Sequence, residues 1–195
     1  MNINKELIQQ LRETTGVGIM DAKKALEETK GDIDKAIELM KKQGQKVAAK
    51  KQDRDTNEGT IGTYIHSNGK VVGIAAVACE SDFVGNTEDF KALAHDIAMQ
   101  VAAADPIYIS PDDVPADVLA KEKEIFTEQL KAEKKPAKVM DNILKGKVEK
   151  YYSEVCLLKQ QYIKDDKLSI EQLIQEKVLK LGENIQVKEI KKISL

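Results

Sequence analysis

Cys79, His66 and Asp82 are the side chains with a chemistry to offer: a thiol, an imidazole and a carboxylate make the set of a cysteine hydrolase. Their surroundings argue against it. Cys79 closes the apolar run that begins at Val71 and has no activating group beside it, so its thiolate would be scarce. Cys156 also lies in an apolar run, and neither cysteine has a CxxC partner. Both read as reduced core thiols, not as a disulfide framework or a zinc site. The chain carries no glycine-rich phosphate loop, no HExxH and no other metal spacing. It is expected to catalyse no covalent chemistry, to need no cofactor or metal, and to bind no nucleotide directly.

Charge narrows the partners. The 31 basic and 33 acidic residues leave a formal net charge of −2, unlike a protein whose affinity rests on many phosphate contacts. One local concentration exists: Lys41, Lys42, Lys46, Lys50, Lys51 and Arg54. It reads first as a solvated face, ahead of a contact with the anionic patch of a partner. An RNA site would interleave aromatic rings, and none occurs there. No nucleic acid is expected as a partner. Residues 1–20 lack an apolar signal core, and no window approaches a membrane span. A cytoplasmic protein with no membrane partner is expected.

The elements that must position these residues follow from periodicity. With aromatics at 4%, the core must come mainly from aliphatic side chains. Ile3, Leu7 and Leu11 line one face of a first helix over about Asn4–Glu13. Thr14 to Gly18 breaks the period, and Ala22, Ala25, Leu26 and Thr29 make a second helix that Gly31 ends. Asp32 can cap a third, with Ile33, Ala36, Ile37 and Met40 on one face, stopping near Gly44. Residues 41–58 read as a solvated helical or extended linker, with the unit boundary near residue 55.

From Gly59 the period drops to two. Thr60–His66 and Val71–Cys79 flank the turn Ser67-Asn68-Gly69-Lys70 and predict a hairpin. The second strand is so apolar that both of its faces are expected to be covered. Thr87 caps a long helix to Ala104, stopped by Asp105-Pro106. Two charged helices follow, over about 116–133 and 137–151, with Lys134-Lys135-Pro136 as their corner. Ser153–Leu158 reads as a strand, Lys164-Asp165-Asp166-Lys167 as a hairpin turn, and Ser169–Leu181 as a helix that Gly182 closes. Ile185–Ile193 would be the last strand. The fold class is α+β: a three-helix head in 1–55, then a core in 56–195 with a small, mostly antiparallel sheet packed by helices.

Three segments resemble one family. Leu11-Arg12-Glu13-Thr14-Thr15-Gly16-Val17-Gly18-Ile19-Met20-Asp21-Ala22-Lys23-Lys24-Ala25-Leu26, continuing to Gly31-Asp32, is similar to that family's N-terminal domain, a three-helix head like ubiquitin-associated domains. Cys79-Glu80-Ser81-Asp82-Phe83-Val84 resembles its Thr-Asp-Phe-Val motif at a strand end. Lys180-Leu181-Gly182-Glu183-Asn184-Ile185 is similar to its Ile-Gly-Glu-Asn-Ile segment. With Tyr64-Ile65-His66 and Lys164-Asp165-Asp166-Lys167 the resemblance, which is to the elongation factor Ts family, spans nearly the whole chain. Ser81 stands for the usual Thr, Gly85 for the commoner Ala (implying a looser loop), and Leu181 for Ile.

The resemblance implies a guanine-nucleotide exchange factor that binds elongation factor Tu, GDP-bound and nucleotide-free. Ser81, Asp82, Phe83 and Val84 would form the loop that dislocates the partner's Mg²⁺. Arg12, Ile19, Met20 and Asp21 would dock the head on the partner's nucleotide domain, with Leu181 and Gly182 as a core contact beside the loop. His66 matches a histidine of the second core copy in longer relatives. This chain carries the core once, which implies a homodimer in which one subunit offers Asp82 and Phe83 and the other His66. Without the resemblance, Asp82 is a strand-end turn residue, Phe83 a core residue, His66 an exposed hairpin residue and His95 a satisfied helix residue. Met20 could equally be core, although with Ile19 beside it at least one of the two is expected to face outward. The other reading is a binding module in which only the head acts.

Overall fold

Four of the longer helices begin where a short polar side chain accepts a hydrogen bond from the first turn. Asn4 accepts from the Glu6 amide (3.1 Å), Asp32 from Lys35 (3.1 Å), Thr87 from Phe90 (3.3 Å) and Ser169 from Gln172 (3.2 Å). They open α1 (Lys5–Thr15), α3 (Ile33–Lys51), α5 (Glu88–Ala104) and α8 (Ile170–Leu181). Between α1 and α3 lies α2 (Ile19–Glu28), and α6 (Ala116–Ala132) and α7 (Ala137–Val155) form a charged helical hairpin. Gly16 and Gly182 close α1 and α8 at φ 69° and 77°, a left-handed conformation that glycine adopts without steric cost. The computed structural model describes residues 4–133 and 136–195. Ile3 and the Lys134-Lys135 corner lie outside the described residues.

The strands are β1 (Glu58–Ile65), β2 (Val71–Cys79), β3 (Gln161–Tyr162), β4 (Asp165–Ser169) and β5 (Ile185–Ser194). β2 is central in an antiparallel sheet of order β1-β2-β5, and β3 and β4 make a separate hairpin. The inner face, carrying Gly73, Ala75, Val77 and Cys79, is pressed against α5 through Phe90, Leu93, Ala94, Ile97 and Val101, all buried. Gly62 and Gly73 make the close approach possible. A Cβ on Gly73 would overlap the Ala98 carbonyl and lie 2.8 Å from the Ala102 nitrogen. Leu11, Val17, Ala22, Ala25, Leu26, Ala36 and Met40 form a second buried cluster among the first three helices. The Leu179 side chain packs on that cluster, while Val47 and Ala48 pack on the sheet's cluster. Helices α3 and α8 therefore belong to both.

Three expectations need correction. Helix α3 does not stop near Gly44 but runs on to Lys51. Gly44 is buried, and a Cβ on it would stand 3.3 Å from the Gln175 carbonyl of α8, tighter than an ordinary contact. Of the helical or extended segment expected here, residues 44–51 are helical and half-buried, and Lys42, Lys46 and Lys50 line a solvated face. Ser153–Leu158 is not a strand. Helix α7 continues to Val155, Cys156 makes a single bridge to Tyr108, and Leu157–Lys159 is a 3-10 turn. A short apolar run is ambiguous between strand and buried helix end, and here the amides of Ile107 and Tyr108 take the Val155 carbonyl (2.9 and 3.0 Å). Finally, β2 is covered on one face only within the chain. Its outer face is open, with Ile61 and Ile65 of β1 at 68% and 66% exposure and Ile193 of β5 standing among exposed Thr63, Glu189 and Lys191.

The close approach of α5 to the sheet gives a test. Gly73→Ala is expected to destabilise the fold by about 3 kcal/mol, because backbone and not a flexible side chain must give way. A urea unfolding midpoint reads this, and a loss under about 0.5 kcal/mol would show that the helix is not pressed on the strand as described.

Candidate functional site

The amides of Glu80 and Ser81 emerge from the end of β2 with no ladder partner, and both are taken by one carboxylate. Glu183 Oε2 accepts from Glu80 N (3.1 Å) and Ser81 N (3.0 Å), and Glu183 Oε1 accepts from the Ser81 hydroxyl (2.6 Å). The grip is reciprocal: Asn184 N donates to Glu80 Oε1 at 2.6 Å. That bond above all, and then the Arg54 guanidinium at 3.3 Å, hold the Glu80 carboxyl below its usual range. The two segments that matched one family separately in sequence are therefore bonded to each other in space.

Ser81 Oγ also accepts from Val84 N (3.4 Å) and starts a single helical turn, α4 (Asp82–Gly85). The turn sorts its own side chains. Val84 packs onto the sheet's core and Gly85 is buried within 3.3 Å of Gly59 (measured from a Cβ position), so the loop is closed and not loose. Asp82 and Phe83 point outward, and Phe83 is 85% exposed. A phenyl ring in water on a hydrogen-bonded turn has no role in this chain's own core.

The floor under the turn comes from the end of α3. Asn184 Nδ2 donates to the carbonyls of Gln52 (3.2 Å) and Arg54 (2.9 Å), Gln186 Nε2 to Gln52 (3.0 Å), and Lys51 Nζ to the Gly182 carbonyl. Leu181 is half-buried and Gly182 exposed beside this junction. On the other side, Lys180 passes the Gly16 turn of the head and pairs with Asp89 at the start of α5 (2.8 Å), joined by Lys177 (3.6 Å). The Lys180 contact at once depresses the Asp89 carboxyl and ties the head to the element that follows α4.

On the head, Arg12, Ile19, Met20 and Asp21 are all exposed, Met20 at 75%. Met20 is not core. Both Ile19 and Met20 face outward, because Val17, Ala22, Ala25 and Leu26 already fill the interior of the three helices. His66 is exposed at the far end of β1, its Nδ1 3.3 Å from the Tyr64 hydroxyl, and His95 Nδ1 meets the Thr63 carbonyl at 2.8 Å. The hairpin pairs Ile65 with Val72 at one end and Glu58 with Cys79 at the other. His66 and Phe83 thus lie a whole strand apart, roughly 26 Å at about 3.3 Å per residue. One chain does not bring them together.

The same distance separates His66 from Cys79, so the cysteine-hydrolase set is not assembled. The Cys79 thiol points to the Ser81 carbonyl (3.1 Å), and burial, aided by the Glu183 charge, raises its pKa. Burial pushes Cys156 up to about 11. Among the described residues no helix is long and apolar enough to cross a membrane, and no group of three or more His, Cys, Asp or Glu is placed to hold a metal ion. Sequence reasoning gave no role to Glu80, Glu183, Asn184 and Lys51. Glu80, Glu183 and Asn184 sat inside the recognised segments, but their bonds join positions about a hundred apart and left no local signal.

Comparison with known proteins finds relatives over nearly the full length of the chain. The family described as "Elongation factor TS" matches residues 2–195. Elongation factor Ts of Fervidobacterium nodosum is 48% identical over 187 residues, covering 96% of this chain and 95% of that protein. The protein of the same name from Maridesulfovibrio salexigens is 48% identical over 195 residues, covering 100% and 95%, and that of Syntrophus aciditrophicus 45% over 195 residues, covering 100% and 97%. A relationship this deep, running through both the head and the turn, places the chain in the elongation factor Ts family.

Proposed function

We propose that this chain is a guanine-nucleotide exchange factor for elongation factor Tu in translation elongation, working in the cytoplasm. The observation that carries the reading is Phe83, 85% exposed on a turn fixed by hydrogen bonds, with Asp82 beside it. Entering a groove beside the partner's nucleotide pocket, the ring must displace the helices that flank it, because packed interiors switch between arrangements and do not yield smoothly. The partner's Mg²⁺ requires near-octahedral oxygen geometry, so a small displacement weakens it, and the Asp82 carboxylate disturbs its water ligands. Loss of the metal and a shifted phosphate loop release GDP.

Magnitudes say that Phe83 does not act alone. A thousandfold faster release needs about 4 kcal/mol, whereas burying one phenylalanine supplies roughly 1.5–3 kcal/mol. The remainder falls to the exposed head surface of Arg12, Ile19, Met20 and Asp21, and to Leu181 and Gly182 beside the turn. The head through residue 55 and the core from 56 to 195 act in this reading as two docking units on one partner. Linkage is reciprocal: nucleotide weakens this chain's binding by the factor with which this chain weakens nucleotide.

A homodimer belongs to the same reading. The open sheet face with Ile61, Ile65 and Ile193 is the kind of surface that packs face to face on another sheet about 10 Å away. A twofold axis between two such sheets and perpendicular to the strands would reverse strand direction. The His66 end of one copy would then lie over the Asp82–Phe83 end of the other.

Two measurements test this. Release of a fluorescent GDP analogue from elongation factor Tu, at fixed Mg²⁺ and salt, is expected to accelerate with the wild-type chain. Phe83→Ala should lose on the order of tenfold to a hundredfold of that gain, and Asp82→Ala should lose part of it, both with an unchanged unfolding midpoint. Unchanged acceleration in both would return the activity to the head alone. For the dimer, sedimentation of Ile61→Glu should give a monomer at concentrations where the wild type is a dimer. A monomeric wild type at tens of micromolar would contradict it.

A further inference from the structure

The exchange reading assigns work to Asp82 and Phe83 but leaves open what presets them. We propose that Glu183 is the positioning residue of the exchange turn, holding Ser81 so that α4 projects its ring and carboxylate toward the partner before contact. This inference rests on the proposed exchange activity. Its ground is geometric: one carboxylate takes three hydrogens, from Glu80 N, Ser81 N and Ser81 Oγ, at 3.1, 3.0 and 2.6 Å. All three have an ionised acceptor, the hydroxyl bond at 2.6 Å is short as such bonds are, and all act on the two residues immediately before Asp82.

The arrangement also accounts for Ser81. Its hydroxyl donates to Glu183 and accepts from Val84 N, so the helix cap and the anchor share one oxygen. Without the carboxylate, two strand-end amides lose their acceptor and the hydroxyl is free to turn. The helix that follows would still be capped by Thr87 and buried through Phe90. The loss would therefore be confined to residues 80–86 and would not spread into the sheet. Glu183 is half-buried behind its bonds to Ser81, whereas Phe83 is 85% exposed, so the role is exercised through Ser81 and not through contact with the partner.

The experiment compares wild type, Phe83→Ala, Glu183→Ala and Glu183→Gln in release of a fluorescent GDP analogue from elongation factor Tu, each titrated to saturation. Glu183→Ala is expected to lower the release rate at saturation about tenfold (about 1.4 kcal/mol). The half-saturating concentration should change less than threefold, because the docking surfaces are intact. Glu183→Gln keeps an acceptor for the backbone amides and should recover most of the rate. Amide hydrogen exchange of the free chain gives an independent reading: Glu80 and Ser81 should exchange on the order of tenfold faster in Glu183→Ala, with Leu93 and Ile97 unchanged. A Glu183→Ala variant with wild-type rate, or with unchanged exchange at Glu80 and Ser81, overturns the positioning role while leaving the exchange reading standing if Phe83→Ala is impaired. A loss of affinity matching the loss of rate, with faster exchange at Leu93 and Ile97, overturns it in favour of a general structural role. A wild-type chain that does not accelerate release overturns the exchange reading and this role with it.

Discussion

The exposed turn proposed to meet a partner depends on one constraint: the end of β2 and the start of β5 lie side by side, and each is fastened by an acid from the other. Glu183 takes the amides that leave β2, and Glu80 takes the amide of Asn184 that leads into β5. Backbone groups at a strand end must find acceptors or remain wet, and here side-chain carboxylates extend the ladder by one more exchange. The turn that follows can then be short and fixed. Four residues of helix suffice to hide Val84 and Gly85 and to leave Asp82 and Phe83 outside.

Several apolar side chains that a self-contained domain would hide are left open: Phe83 on the turn, Ile19 and Met20 on the head, and Ile61, Ile65 and Ile193 on the outer face of the sheet. Their exposure forgoes burial energy, and the interior offsets it elsewhere. Along β2 the small residues Gly73 and Ala75 let α5 lie almost on the backbone, so Phe90, Leu93 and Ile97 are fully covered. Helix α3, running on to Lys51, carries the head's packing into the core and ends beneath the turn at Gln52 and Arg54. A stiff floor and a rigid head matter to the proposed exchange, since a partner can be displaced only by groups that do not themselves give way.

Much of this was legible in the sequence, and the failures have a common cause. Helix α5 was readable from Thr87 to Ala104 because a cap, a clean period of 3.6 and a stop signal agree. The same is true of α8, from Ser169 to Leu181. Gly44 read as a helix end because glycine is a poor helix former, but its value here is the space it leaves for the Gln175 carbonyl. The segment at 153–158 read as a strand because apolar runs carry no period. The open face of β2 was misread because alternation vanishes equally when both faces are covered by the chain and when one is left apolar and open. The turn itself was found through its resemblance to a known motif. The carboxylates that hold it were not found, since a bond between positions 81 and 183 leaves no pattern along the chain.

In the proposed mechanism a preset turn acts on the partner's metal as well as on its pocket. The decisive measurement is stopped-flow release of a fluorescent GDP analogue from elongation factor Tu, at saturating wild-type chain and across Mg²⁺ from excess chelator to millimolar. A large acceleration is expected where Mg²⁺ is bound and a smaller remainder in chelator, because part of the effect has no metal left to dislodge. An acceleration of the same size with and without Mg²⁺ would remove the metal from the mechanism, and none at any concentration would remove the exchange activity itself.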